Sequence, residues 1–317
     1  MVAGPLRIVF CGTPAFAVPT LTHLLASRHA VCGVVTQPDR PRGRGQKVRD
    51  APVKALAREH GVPLVQPERL RDPAVDQTLR AWWPDLGVVA AYGMLIPERL
   101  LAIPRFGMIN VHPSLLPKYR GAAPVHRAVI DGEAETGVTI MRVARLLDSG
   151  DVLATARRAI GPDETSDAVE RDLAELGAEL LMTVVDRIAD GTVRDERQDD
   201  MLATYAPRLG KAEGLVDWTL PASYIHNRVR GLFPWPHAYT YLDGARLILL
   251  ATRVDDVQAH AEPGTIVDVS RDALHVATGR GGRIAILTIQ PEGRRAMPVR
   301  DFLAGHAVVP GSRFRDR

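Results

Sequence analysis

Three residues in this chain have the types and spacing to act on a carbonyl. Asn110 and His112 lie two apart in Asn110-Val111-His112-Pro113-Ser114-Leu115-Leu116-Pro117, at the end of an apolar run. In a strand, side chains two apart point to the same side. Pro113 cannot continue a ladder, so the strand is predicted to stop just after the histidine. A carboxamide and an imidazole on one side of a strand end can both donate hydrogen bonds to an oxyanion developing on a carbonyl, which is what acyl transfer requires. Asp148 follows a second apolar run at 138–143, in Leu146-Leu147-Asp148-Ser149-Gly150-Asp151. From a strand end its carboxylate can reach the imidazole and favour the charged form. Each piece also has a plainer reading. One is a strand-end histidine satisfied beside a turn asparagine, and the other is an ordinary Asp-Ser-Gly-Asp turn.

The elements that must position these residues are legible in the first half of the chain. Strand-like runs at 6–11, 30–36, 62–66, 86–91 and 107–112 alternate with helical patterns at 15–27, 53–60, 74–83 and 97–101. Such alternation predicts βαβ units in a Rossmann-like, mostly parallel sheet, and near-continuous apolar strands fit helices on both faces. Ligands of such sheets bind at the carboxyl edge, where Asn110 and His112 would stand. A long helix is predicted at 167–190, with Val169, Leu173, Leu176, Leu180, Val184 and Ile188 recurring every three or four residues. Ser166 or Asp167 suits its start and Gly191 its end. The chain then turns polar, predicting a catalytic domain over 1–190, a linker over 191–207 and a second domain over 208–317. In the second domain a helix at 222–231 precedes strands at 238–242, 246–252, 264–269, 274–277 and 284–289. Turn signals at Asp243-Gly244 and Gly281-Gly282 separate some of them, so a small OB-like β-barrel is expected.

Composition narrows the function classes. The 317 residues are 46% hydrophobic and 24% charged, ordinary for a globular protein. No apolar run approaches the ~18 residues that span a bilayer, and residues 1–7 lack the pattern of a secretion signal. A soluble cytoplasmic protein is therefore expected, and it is taken to be a monomer. Cys11 and Cys32 sit in apolar runs and read as reduced core thiols. There is no CxxC or HExxH, and the ten histidines are scattered, so no metal is expected. Gly12-Thr13-Pro14 follows the first strand but lacks the GxGxxG that lets a backbone approach a pyrophosphate, which argues against NAD. The net charge of +3 is unevenly placed: Arg40, Arg42, Arg44, Lys47 and Arg49 crowd one short run. Residues 208–317 carry 15 Lys and Arg against 11 Asp and Glu, an excess compatible with a polyanionic partner.

The Asn-x-His-Pro-Ser-Leu-Leu-Pro run, followed by Asp-Ser-Gly-Asp, resembles the folate-dependent formyltransferase family. The resemblance implies that Asn110, His112 and Asp148 are a catalytic trio and that the formyl donor is 10-formyltetrahydrofolate. Its folate would lie beside Tyr92, Gly93, Met94 and Leu95, with Ser114, Leu115, Leu116 and Pro117 lining the crevice. Within the family, further runs are similar to the members that act on initiator methionyl-tRNA: Thr36 to Gly45, Arg120-Gly121-Ala122-Ala123-Pro124, Glu135 to Met141, Asp217-Trp218 and Phe233-Pro234-Trp235-Pro236. That likeness implies tRNA contacts from Arg42, Arg44 and Lys47, and from Arg208, Lys211 and Arg230 beyond the linker. The stretch Ala144-Arg145-Leu146-Leu147 departs from the family, where a glycine and smaller residues are usual, and His126 stands where a glutamine is frequent. A member of the same fold acting on a sugar-nucleotide amine would share the trio but has no use for the Arg44 run.

Overall fold

β1 (Arg7–Gly12) is buried at every position from Ile8 onward, as befits a strand covered on both faces. In the computed structural model it stands inside a seven-stranded sheet. Residues 4–42, 47–48 and 50–316 are described, with the backbone alone at 41–42 and 47–48. After β1 come α1 (Ala17–Leu25), β2 (Ala30–Val35), the two-residue strands β3 (Pro41–Arg42) and β4 (Lys47–Val48), and α2 (Pro52–Glu59). Next are β5 (Leu64–Val65), α3 (Pro73–Ala81), β6 (Leu86–Ala90), α4 (Glu98–Leu101) and β7 (Met108–His112). They are followed by β8 (Arg120–Gly121), α5 (Pro124–Asp131), β9 (Glu135–Arg142), β10 (Val152–Ala159), α6 (Ser166–Ala189) and β11 (Tyr205–Ala206). The sheet order is β10-β9-β7-β6-β1-β2-β5. Its strands β5, β2, β1, β6 and β7 run parallel, and β9 turns antiparallel to β7. This is the Rossmann-like, parallel-dominant sheet that the alternating pattern predicts. Chain order reverses across β1, between β2 and β6, and ligands of open α/β sheets bind at the carboxyl edge beside such a reversal.

Strand parity decides which way the site faces. Val9, Cys11, Val89 and Met108 form one core cluster with Val75 and Leu79 of α3 and Leu100 of α4. On the other side α6 lies against the sheet at Gly177, where a Cβ would stand only 2.7 Å from the Val111 Cγ1. Met108, Asn110 and His112 therefore share the α3/α4 side, while Ile109 and Val111 face away.

The fold splits into two units, Met1–Pro124 with Glu135–Arg158 and Glu170–Ala206, and Val125–Ala134 with Ala159–Val169 and Pro207–Arg317. The polar stretch read as a linker is hydrogen-bonded into the first unit over much of its length. Glu196 and Val152 exchange backbone hydrogen bonds at 2.7 and 2.8 Å. Arg120 N–H donates to the Thr204 carbonyl, Ala122 N–H to that of Ala206, and β11 pairs in parallel with β8. An extended backbone needs no apolar periodicity to pair, so nothing in the side chains announced it.

The second unit carries α7 (Ala222–Gly231), β12 (Ala238–Leu242), β13 (Ala245–Asp255), β14 (Ile266–Val269), β15 (Leu274–Ala277), β16 (Arg283–Pro291), β17 (Met297–Pro298) and α8 (Val299–Leu303). Its antiparallel sheet has the order β12-β13-β16-β15-β14, with β17 on β16. The C-terminal segment bonds to both ends of that order. Tyr241 and Arg315 exchange backbone hydrogen bonds at 3.2 and 3.0 Å, and Ile266 N–H donates to the Ser312 carbonyl at 2.8 Å. Phe314, 2% exposed, stacks on Trp218 at 5.3 Å between ring centroids, and the indole N–H donates to the Thr240 hydroxyl. Replacing Phe314 by Ala should cost ~3 kcal/mol or more, the usual loss for a buried phenylalanine. Denaturant unfolding followed by tryptophan fluorescence should show the midpoint falling accordingly.

Candidate active site

His112 ends β7 and is nearly fully buried, and its two ring nitrogens have different surroundings. Nε2 lies 3.0 Å from the Tyr119 carbonyl, which can only accept, so Nε2 carries a proton. Nδ1 faces the Asp148 carboxylate, whose Oδ2 is 3.8 Å away. The imidazole is thus oriented by a backbone carbonyl, with Asp148 as its ionic neighbour rather than its hydrogen-bond partner. The sequence reading gave the Tyr119 carbonyl no part in orienting the ring. Asp148 Oδ2 itself accepts a 2.8 Å hydrogen bond from the Gly121 N–H. Asn110 precedes on the same side of β7, paired in register with Val89 and Met141, and its carboxamide has no hydrogen-bond partner among the described residues. A free amide donor beside an imidazole held by its far nitrogen can converge on one carbonyl oxygen.

The backbone around this pair is unusual. Ala91, Tyr119 and Asp148 have φ of +44°, +61° and +50°, a conformation that costs a non-glycine residue ~1–3 kcal/mol. Gly121, at φ +126°, lies where a Cβ would come within 2.7 Å of the Ala206 carbonyl oxygen. Gly150 is tighter still, because its Cβ would stand 1.9 Å from the Arg142 carbonyl oxygen. Tyr119 and Asp148, the two residues that face the His112 ring nitrogens, are both strained, a mark of sites where geometry outweighs local comfort.

The other expected site residues divide. Ser114 is fully buried and its hydroxyl donates to the Lys118 carbonyl at 2.7 Å, so it shapes the turn. Leu115, Leu116 and Pro117 are half-buried along it. The turn is held by Thr139, whose hydroxyl donates to the Ser114 carbonyl and accepts from the Leu116 N–H. Tyr92 packs into the α3/α4 core rather than outward, with burial raising its phenol above the ordinary value. Its carbonyl accepts from Gln37 Nε2 at 2.7 Å. Gly93 closes against that same amide, Met94 packs on the core, and Leu95 stands open to solvent. Arg208 and Lys211 are exposed in the second unit. Arg230 is not available to a phosphate: it is buried, and its guanidinium donates to the Gly161 and Glu164 carbonyls and to Asn227 Oδ1. Arg44 lies outside the described residues, and for Arg42 and Lys47 only the backbone is described, in the β3–β4 pairing. Among the described residues no three His, Cys, Asp or Glu side chains gather as metal ligands.

Sequence reasoning passed over Lys54. Its buried ammonium pairs with Asp39 and, at 3.0 Å, with Asp50, the two carboxylates that flank the basic run 40–49. The hydrogen bond from Lys54 holds the Asp39 carboxyl below its ordinary range against the opposing effect of burial. A carboxyl depressed in the folded state adds stability above its unfolded value, and this tie loosens as pH falls through the lowered one. The signal was a lysine on the otherwise apolar face Val53, Lys54, Ala57, which asks for buried partners.

The parallel-dominant sheet with His112 and Asp148 close together beyond its strand ends fits a group-transfer enzyme, and the comparisons with known proteins show which one. The chain belongs to the formyl transferase family, whose formyl transferase model matches residues 6–185 and whose C-terminal domain model matches residues 208–307. It is a formyl-transferring enzyme. It is 48% identical over 309 residues to a methionyl-tRNA formyltransferase of Geobacter sulfurreducens, covering 98% of this chain and 96% of that one. The enzyme of the same name from Bacillus licheniformis is 44% identical over 308 residues, covering 97% and 98%. Among solved structures, the fold is shared with an N-formyltransferase from Helicobacter canadensis in complex with folinic acid and dTDP-3-aminofucose. That likeness has a TM-score of 0.69 at 15% identity, over 89% of this chain and 99% of that one.

The fit beneath Gly150 supplies a test of the site. Gly150→Ala should push the 148–150 turn off β9 and lower kcat ~10-fold or more, since misplacement near 1 Å can cost ~10²-fold. Steady-state kinetics with the fold checked by circular dichroism would measure it.

Proposed function

We propose that this enzyme transfers the formyl group of 10-formyltetrahydrofolate to the α-amine of initiator methionyl-tRNA, using Asn110, His112 and Asp148 at the reacting centre. The choice of acceptor is supported by near-full-length identity of 44–48% to methionyl-tRNA formyltransferases. The observation that carries the chemistry is the His112 geometry: Nε2 held by the Tyr119 carbonyl, Nδ1 toward Asp148, and a free Asn110 amide on the same strand face.

In this reading the acceptor amine attacks the formyl carbon of the folate substrate. The Asn110 amide and the protonated imidazole donate to the developing oxyanion, and preorganised donors of this kind are worth roughly 10²- to 10³-fold each. Asp148, fixed by the Gly121 N–H, stabilises the imidazolium and takes part in moving the proton lost by the amine to the folate nitrogen, which leaves as its bond to the formyl carbon breaks and the oxyanion collapses to the new amide. The enzyme supplies no nucleophile of its own. The folate crevice is assigned to the loop of Tyr92, Gly93, Met94 and Leu95 and the turn of Ser114, Leu115, Leu116 and Pro117. Tyr92 and Ser114 contribute backbone groups, since their side chains point elsewhere. For tRNA we assign Arg42, Arg44 and Lys47 in the first half and Arg208 and Lys211 in the second, phosphate contacts that position without reading sequence. We read 1–190 as the catalytic domain, 191–207 as the connection and 208–317 as an OB-like tRNA-contacting domain. The C-terminal segment, bonded to both ends of the sheet order, supports that barrel reading. The enzyme is taken to act as a monomer in the cytoplasm, where charged tRNA is used.

A sugar-nucleotide amine is the rival acceptor, favoured by the fold shared with sugar formyltransferases. Formylation of methionyl-tRNA and of a dTDP-amino sugar in one assay separates the two, and turnover of the sugar alone overturns the tRNA reading.

Two variants extend the test. His112→Ala should lose at least ~10²-fold in the chemical step with tRNA affinity nearly unchanged, because it removes a contact made in the transition state. Single-turnover kinetics would reveal it, and wild-type turnover would remove His112 from the trio. Arg44→Ala should raise the KM for methionyl-tRNA while folate affinity stays put. Arg44→Lys should restore it only in part, since lysine keeps the charge but loses the planar fork. Equal tRNA use by wild type and both variants would take the run out of recognition.

A further inference from the structure

Arg120 and Gln198 are 4% and 7% exposed, and neither belongs to the trio. The Gln198 carboxamide is hydrogen-bonded at both ends. Its Oε1 accepts from Arg120 Nε at 3.1 Å and Nη2 at 2.8 Å. Its Nε2 donates to two carbonyls of one turn, Asp148 O at 2.9 Å and Gly150 O at 2.7 Å. Arg120 Nη2 continues to Asp200 Oδ1 at 2.8 Å. The residue after Arg120 is Gly121, whose N–H grips the Asp148 carboxylate at 2.8 Å.

Asp148 is therefore held at its carbonyl by Gln198 and at its carboxylate by Gly121. Both holds run from one assembly formed where β8 lies beside the 196–206 segment. Asp148 also carries a φ of +50°, which the chain adopts only when its surroundings insist. Buried polar groups add little stability over a well-packed apolar core, so a satisfied buried network is better understood as fixing a geometry.

We propose that Arg120 and Gln198 are positioning residues that hold the Asp148 turn at its working distance from His112, making the 196–206 segment part of the catalytic machinery. This rests on the assignment of Asp148 to the reacting centre. Only glutamine meets the need at 198. The side chain must accept from a guanidinium on one side and donate to two carbonyls on the other, and glutamate of equal size cannot donate when ionised.

The test compares Gln198→Glu, Gln198→Leu, Asp200→Ala and Asp148→Asn with wild type, each checked for folding by circular dichroism and thermal midpoint. Gln198→Glu keeps the volume and the Arg120 pairing but sets a carboxylate oxygen against two carbonyl oxygens. It should lower kcat ~10- to 100-fold, the scale of a misplaced catalytic group, with KM for folate and methionyl-tRNA within about twofold. Gln198→Leu should fall in the same range. Asp200 is 69% exposed at its side chain, so its alanine variant keeps the fold and should lose about threefold in kcat as Arg120 loosens. Wild-type kcat in both Gln198 variants, or a change confined to KM, overturns the proposal provided Asp148→Asn is impaired. If Asp148→Asn itself turns over normally, the trio assignment is what fails.

Discussion

The hydrogen bond between His112 Nε2 and the Tyr119 carbonyl, 3.0 Å long and buried, is the interaction on which the site depends. It assigns one ring proton and turns Nδ1 toward Asp148. The carbonyl reaches that position because Tyr119 takes a positive φ after the Ser114–Pro117 turn, which Thr139 of β9 holds. Tyr119 is fixed in its turn by its own N–H, which donates to the Thr204 hydroxyl at 2.9 Å. The His112 imidazole is thus referenced to β9 and to residues 196–206, as well as to the strand that carries it.

The arrangement follows from the limits of a parallel sheet. Strand ends deliver side chains to the carboxyl edge, but a single strand supplies only alternate residues on one face. Asn110 and His112 use that supply. A carboxylate had to come from elsewhere, and it comes from the turn beyond β9, which runs antiparallel to β7. Such a turn is less rigid than a strand, and the packing of Gly150 under the Arg142 carbonyl removes one direction of freedom. Polar contacts from Gln198 and Gly121 restrain it from other sides.

The segments proposed for folate and for tRNA are held in different ways. The 92–95 loop and the Ser114–Pro117 turn are tied into the core through Tyr92, Met94 and Thr139. The basic run has its flanking residues Asp39 and Asp50 fastened to buried Lys54. In the proposed reading, a loop and turn tied to the core suit a small planar donor, and a charged run anchored at its base suits a large polyanion.

Much of this was readable from residues alone. Alternating apolar runs and helical periods predicted β1, β2, β6, β7, α1 to α4 and α6 to within a few residues, because burial on a sheet face or helix stripe leaves a periodic trace. Parity and Pro113 placed Asn110 and His112 together at a strand end, and the family's motifs brought in Asp148. What tertiary structure decided were the contacts that leave no period. The short strands and turn signals of the second half became an antiparallel sheet bonded at both ends to the C-terminal segment, because edge pairing depends on where distant backbone lies. Arg230 read as a surface cation, yet its donors go to buried carbonyls. Gln198 sat in a polar stretch with no pattern and proved to be a bridge between a guanidinium and two carbonyls. Periodicity records which residues are buried together, whereas a hydrogen bond between residues 50 or 80 positions apart exists only once the chain has folded.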